Sequence, residues 1–171
     1  YEGKDFDFIP AHPVAGTEQS GPNSGFSELF VNRWCIITPI KNNKKKNIEL
    51  VKKLWIMAGS NVEVMSPQRH DQVMAITSHL PHLIAYNIVS TAADIETVTK
   101  SDVIKYSASG FRDFTRIASS DPTMWRDILL SNKESLLEVI SRFSEDLSML
   151  QKAIRWNDGD TLFKIFSKTR K

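Results

Sequence analysis

Two rhythms divide the chain. Up to about residue 66 the apolar positions come in short mixed groups, and beyond it they recur at helical spacing. RWCIITP, residues 33–39, is a brief apolar, β-branched run closed by a proline, which predicts a buried strand. Residues 47–59 set Ile48, Val51, Leu54, Trp55 and Ala58 on one face of a helix that Gly59 can close. NVEVM, residues 61–65, alternates as a short strand does. Strand, helix and strand in that order predict the tail of an α/β sheet.

From Ser66 the chain reads as helix. Ser66 is placed to cap and Pro67 to occupy the first helical position. Apolar residues then cover much of the circumference, so a central, largely buried helix is expected, kinked where Pro81 removes a backbone hydrogen bond. Residues 107–120 read as a loop and short helix, and Asp121 with Pro122 opens another. Ser131, three residues before Glu134, predicts a capping box for the next helix. Along that helix Leu136, Ile140, Phe143, Leu147, Leu150 and Ile154 form an a/d seam, which suits either the core edge of a bundle or packing on another subunit. A turn at NDGD and a short basic helix follow. The expected fold is mainly α: a helical region over 67–171, preceded over 1–66 by the last strands and helix of an α/β sheet.

Composition narrows the classes without choosing among them. The 171 residues, 41% of them hydrophobic, suit one domain or one domain and part of another. No run of about 18 apolar residues exists, so no membrane partner is expected, and the acidic first residues do not resemble a secretion signal. Cys35 is the sole cysteine, which fits a reducing, cytoplasmic setting. With a net charge of +2, the KNNKKKN run at 41–47 reads as a solvated loop, and no nucleic-acid partner is expected.

Three groups of residues can carry chemistry. His79 and His82 share a helical face beside Ser78, close to the carbonyl that Pro81 frees near residue 77. A metal would need further ligands, and neither HExxH nor paired cysteines occur, so no metal is expected. The plainer reading is two hydrogen-bonded core histidines, yet a polar cluster at a break in a buried helix is costly unless it is satisfied or used. In GFRDFTRIA, Arg112 and Arg116 lie four apart and Asp113 can pair with Arg116. That is either a surface ion-pair network or a carboxylate fork steadied by an aspartate. In HPVAGTE, Pro13 holds His12 extended, Gly16 permits a turn and Glu18 can fold back; a base and a structural turn both fit.

Taken together, HPVAGTEQSGP, HDQVMAITSHLPHLIA and SASGFRDFTRIASSDPTMWRDIL resemble the prephenate dehydrogenases, also called arogenate or cyclohexadienyl dehydrogenases, of tyrosine biosynthesis. The likeness runs from about residue 10 to 156. It implies a Rossmann domain for NAD or NADP, of which 1–66 is the closing part, and a helical domain over 67–171 for substrate binding and homodimer contact. It implies oxidative decarboxylation of prephenate or arogenate. His12 matches the family's base, Arg116 its arginine for the side-chain carboxylate, and His79 and His82, beside Ser78, the pair lining the substrate pocket. Glu18 and Asp113, with Arg112 nearby, match an ionic network at the pocket mouth, and Trp125 an aromatic near the dimer contact.

The chain departs from that pattern in two respects: no GxGxxG follows a strand within its 171 residues, and the serine that assists the family's histidine is missing. A C-terminal fragment, inactive by itself, is therefore expected. A helical dimerisation module that keeps the motifs only as fold determinants is the alternative. Tyrosine, shaped like the product, is a candidate inhibitor at the same pocket.

Overall fold

The computed structural model describes residues 6–16, 21–99 and 109–170. Three short strands form one sheet in the order β1 (Ala11–Val14), β2 (Trp34–Ile37) and β3 (Asn61–Val64). β1 runs antiparallel to β2, with His12 opposite Ile36, and β2 runs parallel to β3. A parallel pair needs a crossover, and α1 (Lys45–Met57) supplies it. The expected strand, helix and strand are all present. Cys35, Ile36 and Ile37 are buried, as a central strand between two neighbours requires.

α1 differs from expectation at both ends. It begins at Lys45, so half of the basic run is helix rather than loop. The capping residue there, Lys44, offers no side-chain acceptor; the Asp7 carboxylate accepts from the Lys44 N–H at 2.8 Å and from Asn47 Nδ2 at 2.9 Å instead. A carboxylate at a helix N-terminus satisfies free donors and complements the dipole. Ile48, Val51 and Trp55 are half-buried, but Leu54 and Ala58 stay exposed. Gly59, at φ +87°, ends the helix; a Cβ there would lie 3.0 Å from Val31 Cγ2.

The helical region opens as predicted. In α2 (Pro67–Met74) Ser66 Oγ accepts from the Arg69 N–H at 3.2 Å. Where a kink at Pro81 was expected, a π-helical turn, Ala75–His79, lies just upstream and α3 (Leu80–Thr99) continues from it. Proline has no N–H to offer the carbonyl four residues back. The wider turn re-registers the ladder, and the Leu80 N–H bonds to the Ala75 carbonyl. The long helix is buried at Met74, Ala75, His79, Leu80 and Ala85, but Asn87 and Ile88 are exposed, so it is central only in its first part.

α4 (Ser109–Ala118) packs on α3, followed by α5 (Pro122–Ser131), α6 (Lys133–Arg155) and α7 (Gly159–Thr169). Asp121 caps α5 by accepting from the Met124 N–H at 2.7 Å. The capping box at Ser131 does not form. Ser131 ends α5, and Asn132, at the cap of α6, makes no side-chain cap bond, because its amide is turned inward. Along the α6 seam Leu136 is buried whereas Phe143, Leu147 and Ile154 are exposed. None of the described helices is long and apolar enough to cross a membrane.

Candidate active site

A cleft of about 700 Å³ opens between the end of β1 and the helices. One wall is His12 to Gly16 with Arg33; the other holds Ser78, His79 and His82, with Arg116 and Trp125 closing the far side. Residues over a hundred positions apart thus meet at one hollow of a size suited to a small ligand. Of the residues singled out in the sequence, His12, Ser78, His79, His82, Arg116 and Trp125 line it. Asp113 and Arg112 do not. Both are exposed on α4, and Asp113 stands 3.8 Å from Arg116 Nε. Glu18 lies outside the described residues.

The histidines are held by partners that fix their protons. His82 Nδ1 donates to the Ser78 carbonyl at 2.9 Å, a polar contact inside the very turn that Pro81 disturbs. That leaves Nε2 of neutral His82 as an acceptor. Its ring stacks on Trp125, with centroids 3.5 Å apart and planes at 18°. His79, buried, faces the opposite chemistry. The Asn132 amide donates to the Asp71 carbonyl at 2.8 Å and approaches His79 Nδ1 at 3.2 Å. An amide N–H makes His79 Nδ1 the acceptor, so its Nε2 carries the proton and is a donor. Trp125 Nε1 is buried and donates to nothing among the described residues.

His12 is the sheet's contribution. Alternation in β1 turns it, with Val14, to the open face, and Pro13 sets the backbone. Its Nδ1 lies 2.7 Å from Nε2 of His70, and His70 Nδ1 lies 2.9 Å from Asp71 Oδ1. Spacing singles out neither His70 nor Asp71; their one signal is the HD pair that opens HDQVMAITSHLPHLIA, in the middle of α2. Asn132 is a third residue that the sequence did not reveal, since it sits inside the capping box expected at Ser131.

Desolvation holds His12, His79 and His82 below the ordinary histidine value. Repulsion from His70 adds to it at His12 and His79, while Asp71 opposes it at His79. At His82 the Ser78 carbonyl acts upward and Arg116 downward. All three therefore favour the neutral ring at physiological pH, the form that can accept a proton. Cys35 is fully buried, and burial raises its thiol, so it is no nucleophile.

The cleft joins a strand-borne histidine to a helical wall that bears Arg116, and known proteins show the same two parts. The prephenate dehydrogenase nucleotide-binding domain matches residues 3–64, and the prephenate dehydrogenase dimerization domain matches residues 66–168. The chain belongs to the prephenate dehydrogenase family. It is 41% identical over 163 residues to the cyclohexadienyl dehydrogenase of Zymomonas mobilis, covering 95% of this chain and 56% of that protein. With the prephenate dehydrogenase of Bacillus subtilis it shares 36% over 166 residues, 97% of this chain and 44% of that one. The prephenate dehydrogenase of Aquifex aeolicus, solved with hydroxyphenyl propionate and NAD+, superimposes with a TM-score of 0.87 at 41% identity, over 95% of this chain and 57% of that one. The chain thus spans about half the length of the relatives it matches.

Proposed function

We propose that this chain carries the base, the substrate grip and the dimer contact of an NAD(P)-dependent dehydrogenase that oxidatively decarboxylates prephenate or arogenate. The observation that carries the reading is the meeting of His12, His79, His82 and Arg116 in one cleft, four groups whose chemistry matches one small cyclohexadienyl dicarboxylate. Residues up to 66 are assigned to the end of the nucleotide-binding part, and those from 67 to the substrate and dimer part.

The glycine-rich turn that grips a pyrophosphate is not among these residues, so only the reactive end of the cofactor concerns them. Space is open beside Gly16, where a Cβ would touch nothing within 4 Å. NAD or NADP, when bound, supplies the hydride acceptor. Arg116 pairs with the substrate's side-chain carboxylate through a charge-assisted fork. His79, a donor, meets the ring carboxylate, and Ser78 offers a further hydroxyl. His12 accepts the proton of the ring hydroxyl as hydride leaves the same carbon. The bond to the ring carboxylate then breaks to give carbon dioxide, its electron pair aromatises the ring, and the nascent phenolate takes the proton back from His12. No proton is gained or lost overall, so His12 lends its site and recovers it.

The exposed apolar residues of α6 and α7, among them Phe143, Leu147, Ile154, Phe163 and Phe166, support a homodimer. Sedimentation should give a dimer at tens of micromolar (roughly the usual working range); a monomer overturns that part. The reaction itself is tested with an enzyme that joins this chain to a glycine-rich dinucleotide-binding segment. Prephenate or arogenate should yield carbon dioxide and reduced cofactor in equal amounts. Reduced cofactor without carbon dioxide, or neither, overturns the reading.

A further inference from the structure

We infer that Asp71 and His70 form a positioning relay that locks His12 in the tautomer whose Nε2 is bare towards the cleft. The inference rests on the reading of His12 as the base and adds what makes it one. Its steps follow from hydrogen-bond valence. An ionised carboxylate only accepts, so the 2.9 Å contact between Asp71 Oδ1 and His70 Nδ1 places a proton on that nitrogen. A neutral His70 then has a lone pair on Nε2. The 2.7 Å contact between that nitrogen and His12 Nδ1 must therefore be filled by the proton of His12. A neutral imidazole carries one N–H, so His12 Nε2 is left bare, and it is the nitrogen not engaged by His70. One carboxylate sets the direction of two rings.

The same chain of bonds stabilises the imidazolium that exists while His12 holds the substrate's proton, because positive charge at His12 is faced across His70 by the Asp71 carboxylate. A Ser-His-Asp triad uses its aspartate in this way, for orientation and charge rather than as a proton sink. The side chain of Asp71 is about half exposed, so its leverage is smaller than that of a buried triad carboxylate. Its main chain is pinned, since the Asp71 carbonyl accepts from Asn132. A second hollow of about 470 Å³ lies behind His70, Asp71 and His79, and keeps the far side of the relay open. The other charged or titratable groups around this assembly are His79 from the π turn, His82 from α3, Arg33 before β2, Arg116 from α4 and Asp127 from α5. Asp127 is the second carboxylate at that hollow, where it pairs with Arg126 at 2.8 Å. Asp71 is therefore the carboxylate that meets His70 directly.

The test begins with long-range proton–nitrogen spectra of the histidine-labelled 171-residue chain at mildly alkaline pH. His12 should be protonated at Nδ1 with Nε2 bare, and His70 should show the same tautomer. In Asp71→Asn the amide can face His70 with either its oxygen or its nitrogen, so His12 should divide between both tautomers; Asp71→Glu should restore one. In the enzyme carrying the cofactor segment, Asp71→Asn should lower kcat about 10- to 100-fold with KM nearly unchanged. Its acidic limb should move to lower pH, because the imidazolium has lost its counter-charge. A wild-type His12 with its proton on Nε2, or an Asp71→Asn variant with unchanged tautomer and pH profile, overturns the relay. If the spectra are as expected but neither prephenate nor arogenate is turned over, the relay stands and the assignment of the reaction falls.

Discussion

The sheet region and the helical region meet the cleft in opposite ways. Residues 6–64 contribute one imidazole, that of His12, on a short strand whose neighbour, β2, is buried from Cys35 to Ile37; α1, on the same sheet, has no buried residue and leaves Leu50, Leu54 and Met57 in the open. Residues 66–170 contribute several weaker contacts, each held by a second residue: His82 by Ser78 and Trp125, His79 by Asn132, Arg116 by Asp113. The sheet supplies one group that must be placed accurately. The helices supply a surface that must be complementary. Removing a base should therefore slow chemistry, and removing a grip should weaken binding.

His12→Asn breaks this division most sharply. In the enzyme that carries this chain, kcat should fall on the order of 10²–10⁴-fold with substrate affinity nearly intact, since asparagine can bond the hydroxyl but cannot take its proton. Steady-state kinetics with a near-normal kcat would return the HPVAGTE loop to a structural role. On the helical side, Arg116→Ala should raise KM about 30- to 1,000-fold and change kcat far less, as expected for the loss of roughly 2–4 kcal/mol of charge-assisted binding. An unchanged KM would make Arg116 a surface ion pair and nothing more.

Asn132→Ala reaches the site from behind. It strips donors from the Asp71 carbonyl and from buried His79, which should cost about 1–3 kcal/mol and lower Tm by roughly 3–10 °C. Thermal unfolding that matches the wild type would show that water replaces the amide without loss. The smallest effect is on pH. His12, His79 and His82 are all held below 6.5, so below that value the unfolded chain binds protons that the folded one resists. Stability is complete above the ordinary histidine pKa and falls as the solution is acidified through it. Melting curves between about pH 7.5 and about pH 5.5 should show Tm declining with acid; a flat or rising Tm would sink this.

Much of this layout is legible in residue order, and what is not has physical causes. The caps at Ser66 and Asp121 are local, because a side chain reaching three residues forward needs no knowledge of the fold. The strand at 34–37 is visible from its apolar run. Asp7 over the start of α1 and His70 against His12 are contacts across 37 and 58 residues, and no spacing rule reports those. Asn132 carries a misleading signal: next to Ser131 and before Glu134 it sits in a capping pattern, and a buried histidine claims it instead. Pro81 shows that the ladder must be broken, but bending and widening both answer a missing N–H.

The widened turn at Ala75–His79 also sets an angle. An α-helix advances about 100° per residue, so in an unbroken helix His79 would point about 180° from His70, and His82 about 120° from it. A π turn absorbs one extra residue and rotates all that follows back by about 100°. His79 then lies about 80° from His70, and His82 about 20°. The turn works as a phase shifter: it brings the side of the helix that carries His70 round to the side that lines the cleft. Deleting Ile76 or Thr77 would leave every side chain of the site in the sequence and turn half of them away from the other half.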